Sequence, residues 1–489
     1  MEKKHMSMLI GGKWVDGEGN NRLESISPAT GEVIASLPLG RKSDVDLAVR
    51  AAKGAQPKLA SRTAFARAEL CHSIAENMRS QREELSRWLS LDQGKPLKAE
   101  SYGEVDQAIG HFTEAAEDAK RLETPVLPSE DQDKRIFTIR QPLGTMGVIT
   151  PWNFPLAIPS EYISAALATG NVIVWKPAST TPAIAVKLAE CIDQALREND
   201  MHPEVFNLIT GKGSTVGQSL VKHDEVDGIG LTGSPEVGEK VANQSGLKKV
   251  LLELGGNGPV IILEDANLGD AARASAFGSF YCAGQVCVAS ERILVHSSVK
   301  EEFIDLLLDE ARKIKLGQSL EDGITMGPLN NEEVARKMDR HIKDAVDRGA
   351  KVLYGGKREE GLPTDLYYQP TVLTDVPPDS KINKEETFGP IAPVIEFESN
   401  DQALEIANGI GLGLVSSVFT QNLSNAMHFA ENLETGAVNI NETSDHWEIH
   451  TPVGGYSGKR SGIGRIGGRW SLEEMTQIKC INMDIGSNN

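Results

Sequence analysis

Short apolar runs alternate with longer amphipathic stretches along most of the chain. The beginning differs: "MLIGGKWV" (8–15) reads as a strand and "SPATGEVIASLP" (27–38) as a turn. From Ser43, a capping residue type, "SDVDLAVRAAKGA" places alanines at helical spacing. Amphipathic helices then run through "RAELCHSIAENMRSQREELSRWLSLDQ" (67–93) and "AIGHFTEAAEDAKRL" (108–122). After residue 143 the texture becomes strand-like runs separated by helical stretches: "GTMGVITPW", "NVIVWKPA", "FNLITG", "DGIGLTGS" and "VLLELGG". A second block over about 255–455 carries "PVIIL", "ERILVH", "KVLYGG", "PVIEF" and "SSVFT". Such alternation predicts parallel, doubly wound sheets with helices on both faces, hence an α/β chain of two lobes. The pattern contains no internal repeat.

Length agrees with this division, because 489 residues exceed what one hydrophobic core organises. No apolar run approaches the roughly 18 residues of a membrane helix. The opening "MEKKHMSMLIGGKWVDG" lacks the apolar core of a signal peptide, so a cytoplasmic location is expected. A net charge of −19 argues against nucleic acid and anionic membrane surfaces as partners. Five irregularly spaced cysteines (Cys71, Cys191, Cys282, Cys287, Cys480) read as reduced thiols.

Several short stretches carry candidate chemistry. "GKGSTVG" (211–217) and "GSPEVG" (233–238) each follow a strand and lead into a helix, which makes Gly213, Gly217, Gly233 and Ser234 anion-site candidates or members of ordinary turns. In "ITPWNFPLAIP" two prolines bracket Trp152, Asn153 and Phe154. The Asn153 amide is either a rigid donor for a developing oxyanion or the cap of a local turn. "LLELGGNGP" sets Glu253 at an apolar strand end before two glycines, where a carboxyl is a raised-pKa general base or a satisfied buried acid. "FYCAGQVCVAS" (280–290) holds two of the five cysteines. No metal is expected there, since no further cysteine or histidine clusters nearby. A nucleophile and an inert core thiol both remain open for each cysteine.

Taken in order, "WNFP" (152–155), "KPA" (176–178), "GSPEVG", "ELGG" (253–256), "GQVC" (284–287) and "ETFGP" (386–390) closely resemble the motif series of the aldehyde dehydrogenase superfamily. The thirty-four residues from Glu253 to Cys287 resemble its spacing, and the likeness extends from "GKWVDG" near the start to "SGIGRIGG" near the end. The resemblance implies two doubly wound parallel α/β domains plus a small bridging element. A nucleotide-binding domain is expected over 1–123 and 144–254, a catalytic domain over 255–455, and an oligomerisation element over 124–143 and 470–489. The tail of that element would add a strand to a neighbouring subunit in a homodimer or homotetramer. By the same resemblance Cys287 is the nucleophile, Asn153 and the Cys287 N–H hold the oxyanion, and Glu253 activates the water that hydrolyses the thioester. Hydride passes from the thiohemiacetal to NAD or NADP. Trp152, Lys176, Ser179, Gly213, Gly217, Gly233, Ser234, Glu386 and Phe388 then fall at cofactor positions.

Two departures refine the expectation. Ser179 stands where NAD-preferring relatives often carry a glutamate that repels a 2′-phosphate, so NADP is expected to be accepted. "GGYSGKRSGIGRIGG" (454–468) is loosely similar to the semialdehyde and benzaldehyde-type subfamilies. Val286, Val288, Glu161, Tyr162 and the loop 441–450 are expected to line the aldehyde channel, with Cys282 as a wall residue near the nucleophile. A reversible Cys282–Cys287 disulfide is a weaker expectation. His446, His450, Lys459 and Arg460 are candidates to receive an anionic tail. These features point to a small polar or anionic aldehyde, with aromatic aldehydes second. A CoA-acylating relative is disfavoured by the presence of Glu253, and a non-catalytic structural relative by the intact Cys287, Glu253, Asn153 and Lys176.

Overall fold

The computed structural model describes residues 3–17 and 21–486. The parallel core strands, numbered in chain order, form two sheets. β1 (Thr145–Ile149), β2 (Val172–Lys176), β3 (Phe206–Leu208), β4 (Gly228–Gly233) and β5 (Lys249–Leu254) lie in the order β5-β4-β1-β2-β3, with antiparallel edge strands at either end. β6 (Pro259–Ile262), β7 (Arg292–His296), β8 (Thr371–Thr374), β9 (Ile391–Phe397), β10 (Val415–Phe419) and β11 (Ala437–Ile440) follow the order β8-β9-β7-β6-β10-β11. Both central strand sets are buried on both faces, which explains their unbroken valine, isoleucine and leucine runs.

Several local expectations change. "MLIGGKWV" is a hairpin, Met8–Ile10 against Lys13–Val15, turned by Gly11 and Gly12 at positive φ. Ser43 does not cap the first helix: it lies inside Lys42–Ala60, whose cap is Arg41 with its N–H bonded to Asp44 at 2.8 Å. The turn at residues 27–32 gives way to a strand, Val33–Pro38. β8 (TVLT) and β11 (AVNI) lie outside the apolar runs read in the sequence, since threonines flank the first and an asparagine interrupts the second.

A third sheet pairs Thr476–Asp484 with Lys134–Pro142, and the latter with Val126–Leu127. Within the chain the tail strand pairs with Lys134–Pro142 and forms one edge of this sheet. Residues 462–463 return to the first sheet beside β5, beyond the expected limit of the second lobe. Among the described residues no helix is long and apolar enough to cross a membrane.

Site-bearing helices are α1 (Tyr102–Ala119), α2 (Ala157–Thr169), α3 (Pro235–Gln244), α4 (Leu268–Phe280) and α5 (Gly468–Glu474). In the first sheet the chain runs from β1 outward to β3 and then crosses to β4 on the other side of β1. That crossing opens a crevice at the strand ends, where Asn153 follows β1 and Ser234 follows β4.

Candidate active site

Asn153 sits between Pro151 and Pro155 and is buried. Its Nδ2 donates to the Gln285 carbonyl at 3.0 Å, which ties the end of β1 to the cysteine loop. The segment after it is anchored from α1: Glu104 Oε1 accepts the N–H groups of Leu156 and Ala157 at 2.9 and 3.3 Å. Glu104 Oε2 pairs at 2.6 Å with Lys95, both side chains fully buried, and Lys95 Nζ lies 3.3 Å from the centre of the Phe154 ring.

The cysteine loop owes its course to three successive left-handed residues, Cys282, Ala283 and Gly284, with φ of 51°, 52° and 70°. Two of them are not glycine, a cost of about 1–3 kcal/mol each that only surrounding bonds sustain. Those bonds are present. Glu100 Oε1 accepts the Cys282 N–H at 3.0 Å, the Gln285 side chain donates to the Cys282 carbonyl at 2.8 Å, and Gln285 Oε1 accepts Asn330 N–H at 2.8 Å. The turn sends the two thiols to different places. Cys287 is half-buried and faces a cavity of about 700 Å³, whereas Cys282 is buried between Gln93 and the Asn153 carbonyl and is absent from the cavity lining. Cys282 is therefore a core thiol behind Asn153 rather than a wall residue, and both thiols are free.

Glu253 on β5 lines the same cavity and stands within hydrogen-bonding reach of Cys287 and Thr232. Burial pushes its carboxyl up to about 7, and its Oε1 has no partner. Burial, then the charge of Glu253, pushes the Cys287 thiol well above its ordinary range. The two groups stand within hydrogen-bonding reach of one another, and Thr232 is the other group in reach of the Glu253 carboxyl. The two glycines after Glu253 admit specific neighbours. A side chain at Gly255 would come 2.6 Å from Glu386 Oε1, and one at Gly256 would collide with the Cys287 carbonyl.

The cofactor candidates gather around the crevice. The Gly256 N–H donates to Glu386 Oε1 at 3.1 Å. Trp152 and Phe388 meet edge to face with centroids 5.5 Å apart, and Phe388 holds φ of 62°. Glu291, missed by the sequence reading, fixes this loop by accepting the N–H of Thr387 at 2.7 Å and that of Phe388. Lys176, at the end of β2, is buried, and desolvation lowers its ammonium to about 8. Ser179 Oγ donates to the Gly211 carbonyl at 2.9 Å, and Ser234 caps α3 by accepting Val237 N–H. Gly213 and Gly233 face open space, while Gly217 is buried against Ile149. An uncompensated buried cation, a capped helix N-terminus and side-chain-free strand ends fit a phosphate-bearing dinucleotide.

The cavity wall includes Val286 and Val288 as expected, with Phe154, Phe277, Tyr281 and Trp447, and from the 441–450 loop Asp445, His446 and Glu448. Burial pushes Asp445 up to about 7. Other expected wall residues lie elsewhere. Glu161 and Tyr162 are turned away, Glu161 toward Ser471 and the Tyr162 hydroxyl onto Thr232 and the Leu231 carbonyl. Lys459 is tied to the Asn408 and Ile410 carbonyls and Glu434, and Arg460 to Glu236 and Glu239. His450 is exposed beside Glu448 and outside the lining.

A family model described as "Aldehyde dehydrogenase family" matches residues 14–481. The chain is 38% identical to a lactaldehyde dehydrogenase from Methanocaldococcus jannaschii, over 97% of this chain and 99% of that one. It is 37% identical to the NADP(+) succinate-semialdehyde dehydrogenase of Escherichia coli, covering 97% of each. Among solved structures it resembles a glyceraldehyde-3-phosphate dehydrogenase from M. jannaschii complexed with NADP, at a TM-score of 0.91 and 37% identity, covering 95% of this chain and 100% of that one.

Proposed function

Because the chain belongs to the aldehyde dehydrogenase family and is an NAD(P)-dependent aldehyde oxidoreductase, we propose that it oxidises a small polar aldehyde through an acyl-enzyme on Cys287. The observation that carries this reading is that Cys287 and Glu253 line one cavity within hydrogen-bonding reach of each other. Glu253 takes the thiol proton as the sulfur adds to the aldehyde carbon. The growing oxyanion is met by the Cys287 N–H and by the second N–H of the Asn153 amide, whose first is spent on Gln285. NAD(P), when bound, supplies the hydride acceptor, and Lys176, Ser179, Ser234, Glu386 and Phe388 are the residues proposed to hold it. Once the thiol proton has left for solvent, Glu253 draws a proton from water, which attacks the thioester and frees the acid, with the Cys287 thiolate as the leaving group. In this reading residues 1–123 and 144–254 carry the cofactor and 255–455 carry the nucleophile.

The cavity narrows the substrate. Its lining has no lysine or arginine but includes the carboxyls of Asp445 and Glu448 beside Gln107, Asn439, Thr443 and Ser444. Such a wall favours an uncharged hydroxylated aldehyde over one with a carboxylate tail. The aromatic rings of the wall support aromatic aldehydes as the second reading. Ser179 places no charge against a 2′-phosphate, which supports NADP use. A panel of aldehydes assayed for kcat/KM with both cofactors tests these points. Short hydroxyaldehydes are expected to lead succinate semialdehyde by about tenfold or more, roughly one unfavourable charge contact, with NADP within about a hundredfold of NAD. Succinate semialdehyde in first place, or a larger NADP deficit, would contradict them.

A homo-oligomer is also proposed. The third sheet leaves Val126 (79% exposed) and Ile478 (61%) open, a surface better covered by another copy. Light scattering is expected to give a multiple of the 52.8 kDa chain mass, and a monomeric mass at working concentration would contradict it.

A further inference from the structure

We propose that Glu291 is a positioning residue for hydride transfer: it locks residues 386–388 to the Cys287 loop, so that cofactor and nucleophile keep one relative placement. The inference rests on the cofactor role given to Glu386 and Phe388 above. Glu291 is 2% exposed and lies in the bend between the cysteine loop and β7, four residues after Cys287. Its two carboxyl oxygens are divided between consecutive backbone groups. Oε2 accepts the Thr387 N–H at 2.7 Å, and Oε1 accepts that of Phe388. An amide could not do the same, because one of its two ends would point a donor at a donor.

The carboxyl holds a conformation that does not hold itself. Phe388 has φ of 62°, a left-handed backbone that a non-glycine residue keeps only where its surroundings impose it. Residues 385–388 are gripped one by one from different elements. His341 of the helix Glu332–Asp347 places Nε2 3.4 Å from Glu385 Oε2 and Nδ1 3.1 Å from Thr387 Oγ1. The Gly256 N–H, after β5, donates to Glu386 Oε1 at 3.1 Å. Trp152, after β1, meets the Phe388 ring edge to face. Glu291 is the grip that comes from the nucleophile's own stretch of chain.

The cysteine loop and this segment also touch directly. A side chain at Gly284 would collide with the Gly389 carbonyl, and one at Gly256 with the Cys287 carbonyl. Gly256 thus donates its N–H to Glu386 while backing onto Cys287. The nucleophile's loop and residues 386–388 are one packed unit, pinned at its ends by Gly256 and Glu291. Such pinning matters for rate, because a misplacement of about 1 Å between reacting groups costs up to about a hundredfold. Glu291 occupies its place against electrostatics. Burial and then the Glu386 charge raise its carboxyl, and the two N–H groups oppose the rise. In either charge state each oxygen keeps a lone pair for its N–H, so the hold does not depend on ionisation.

Glu291→Gln keeps the size and replaces one acceptor by a donor, while Glu291→Asp keeps both acceptors on a shorter arm. Calorimetry compares NAD, NADP and ADP, the last of which lacks the nicotinamide riboside that residues 386–388 are proposed to touch. Both variants are expected to bind NAD and NADP about tenfold more weakly and ADP as the unmodified enzyme does. With cofactor and aldehyde saturating, the rate of NAD(P)H formation in the first turnover should fall at least about tenfold. Equal losses for NAD and ADP, dinucleotide affinities within about twofold of the unmodified enzyme, or an unslowed first turnover would each overturn the assignment. Glu291→Asp is read by the same outcomes where a thermal melt shows Glu291→Gln unfolded. An unmodified enzyme that binds neither NAD nor NADP would instead refute the cofactor reading.

Discussion

Cys287→Ala is expected to lower aldehyde-dependent NAD(P)H formation by about 10⁴-fold or more in kcat/KM, because no second thiol lines the cavity. The other thiol of the stretch, Cys282, is buried on the far side of the Asn153 segment with its thiol raised by burial, so it cannot substitute. The Cys287 side chain makes no structural bond beyond its contact with Glu253, and the variant should fold normally. The measurement is initial rate with a saturating aldehyde, beside a thermal melt to confirm folding. A variant that still oxidises aldehyde would remove the basis of the mechanism.

Glu253→Gln carries the second large effect. An amide cannot take a proton, so kcat should drop by about 10²- to 10⁴-fold at pH 8. The pH dependence follows from the raised carboxyl. Below about 7 Glu253 is protonated and cannot act as a base, and above it the carboxylate is available. The kcat of the unmodified enzyme should therefore rise as pH passes upward through about 7, while the residual rate of Glu253→Gln stays flat there. A variant profile that keeps the same rise would assign the titration to another group, with Asp445, also pushed to about 7, the first to examine.

How far the sequence disclosed this site depends on the residue. The ten strand-like runs of the two alternating blocks all became core or edge strands, because most buried parallel strands carry an apolar run, whereas the parallel strands β8 and β11 lie outside those runs. The two glycines after Glu253 announced a close approach. What approaches, the Glu386 carboxylate and the Cys287 carbonyl, arrives from residues distant in sequence. Nothing in "KPLKAESYGEVD" (95–106) is singled out by the sequence, yet its Lys95, Glu100 and Glu104 are buried and anchor the Asn153 segment and the cysteine loop. Only tertiary closure over that segment decides the matter. Cys282 was misplaced because the direction of its side chain is set by three left-handed backbone conformations, which a Cys-Ala-Gly string does not declare. Glu161 was misplaced for a simpler reason: it follows Asn153 closely, but helical geometry turns it toward α5. Lys459 and Arg460 looked free in the chain and are engaged by carbonyls and carboxylates of other elements.

The central claim is an acyl-enzyme on Cys287, and mass spectrometry of Glu253→Gln reads it directly. After mixing with aldehyde and NAD(P), the intact chain should gain the mass of one acyl group, and digestion should place it on the peptide holding Cys287. An acyl group on any other residue, or a variant that forms NAD(P)H while its mass stays unchanged, would contradict the account.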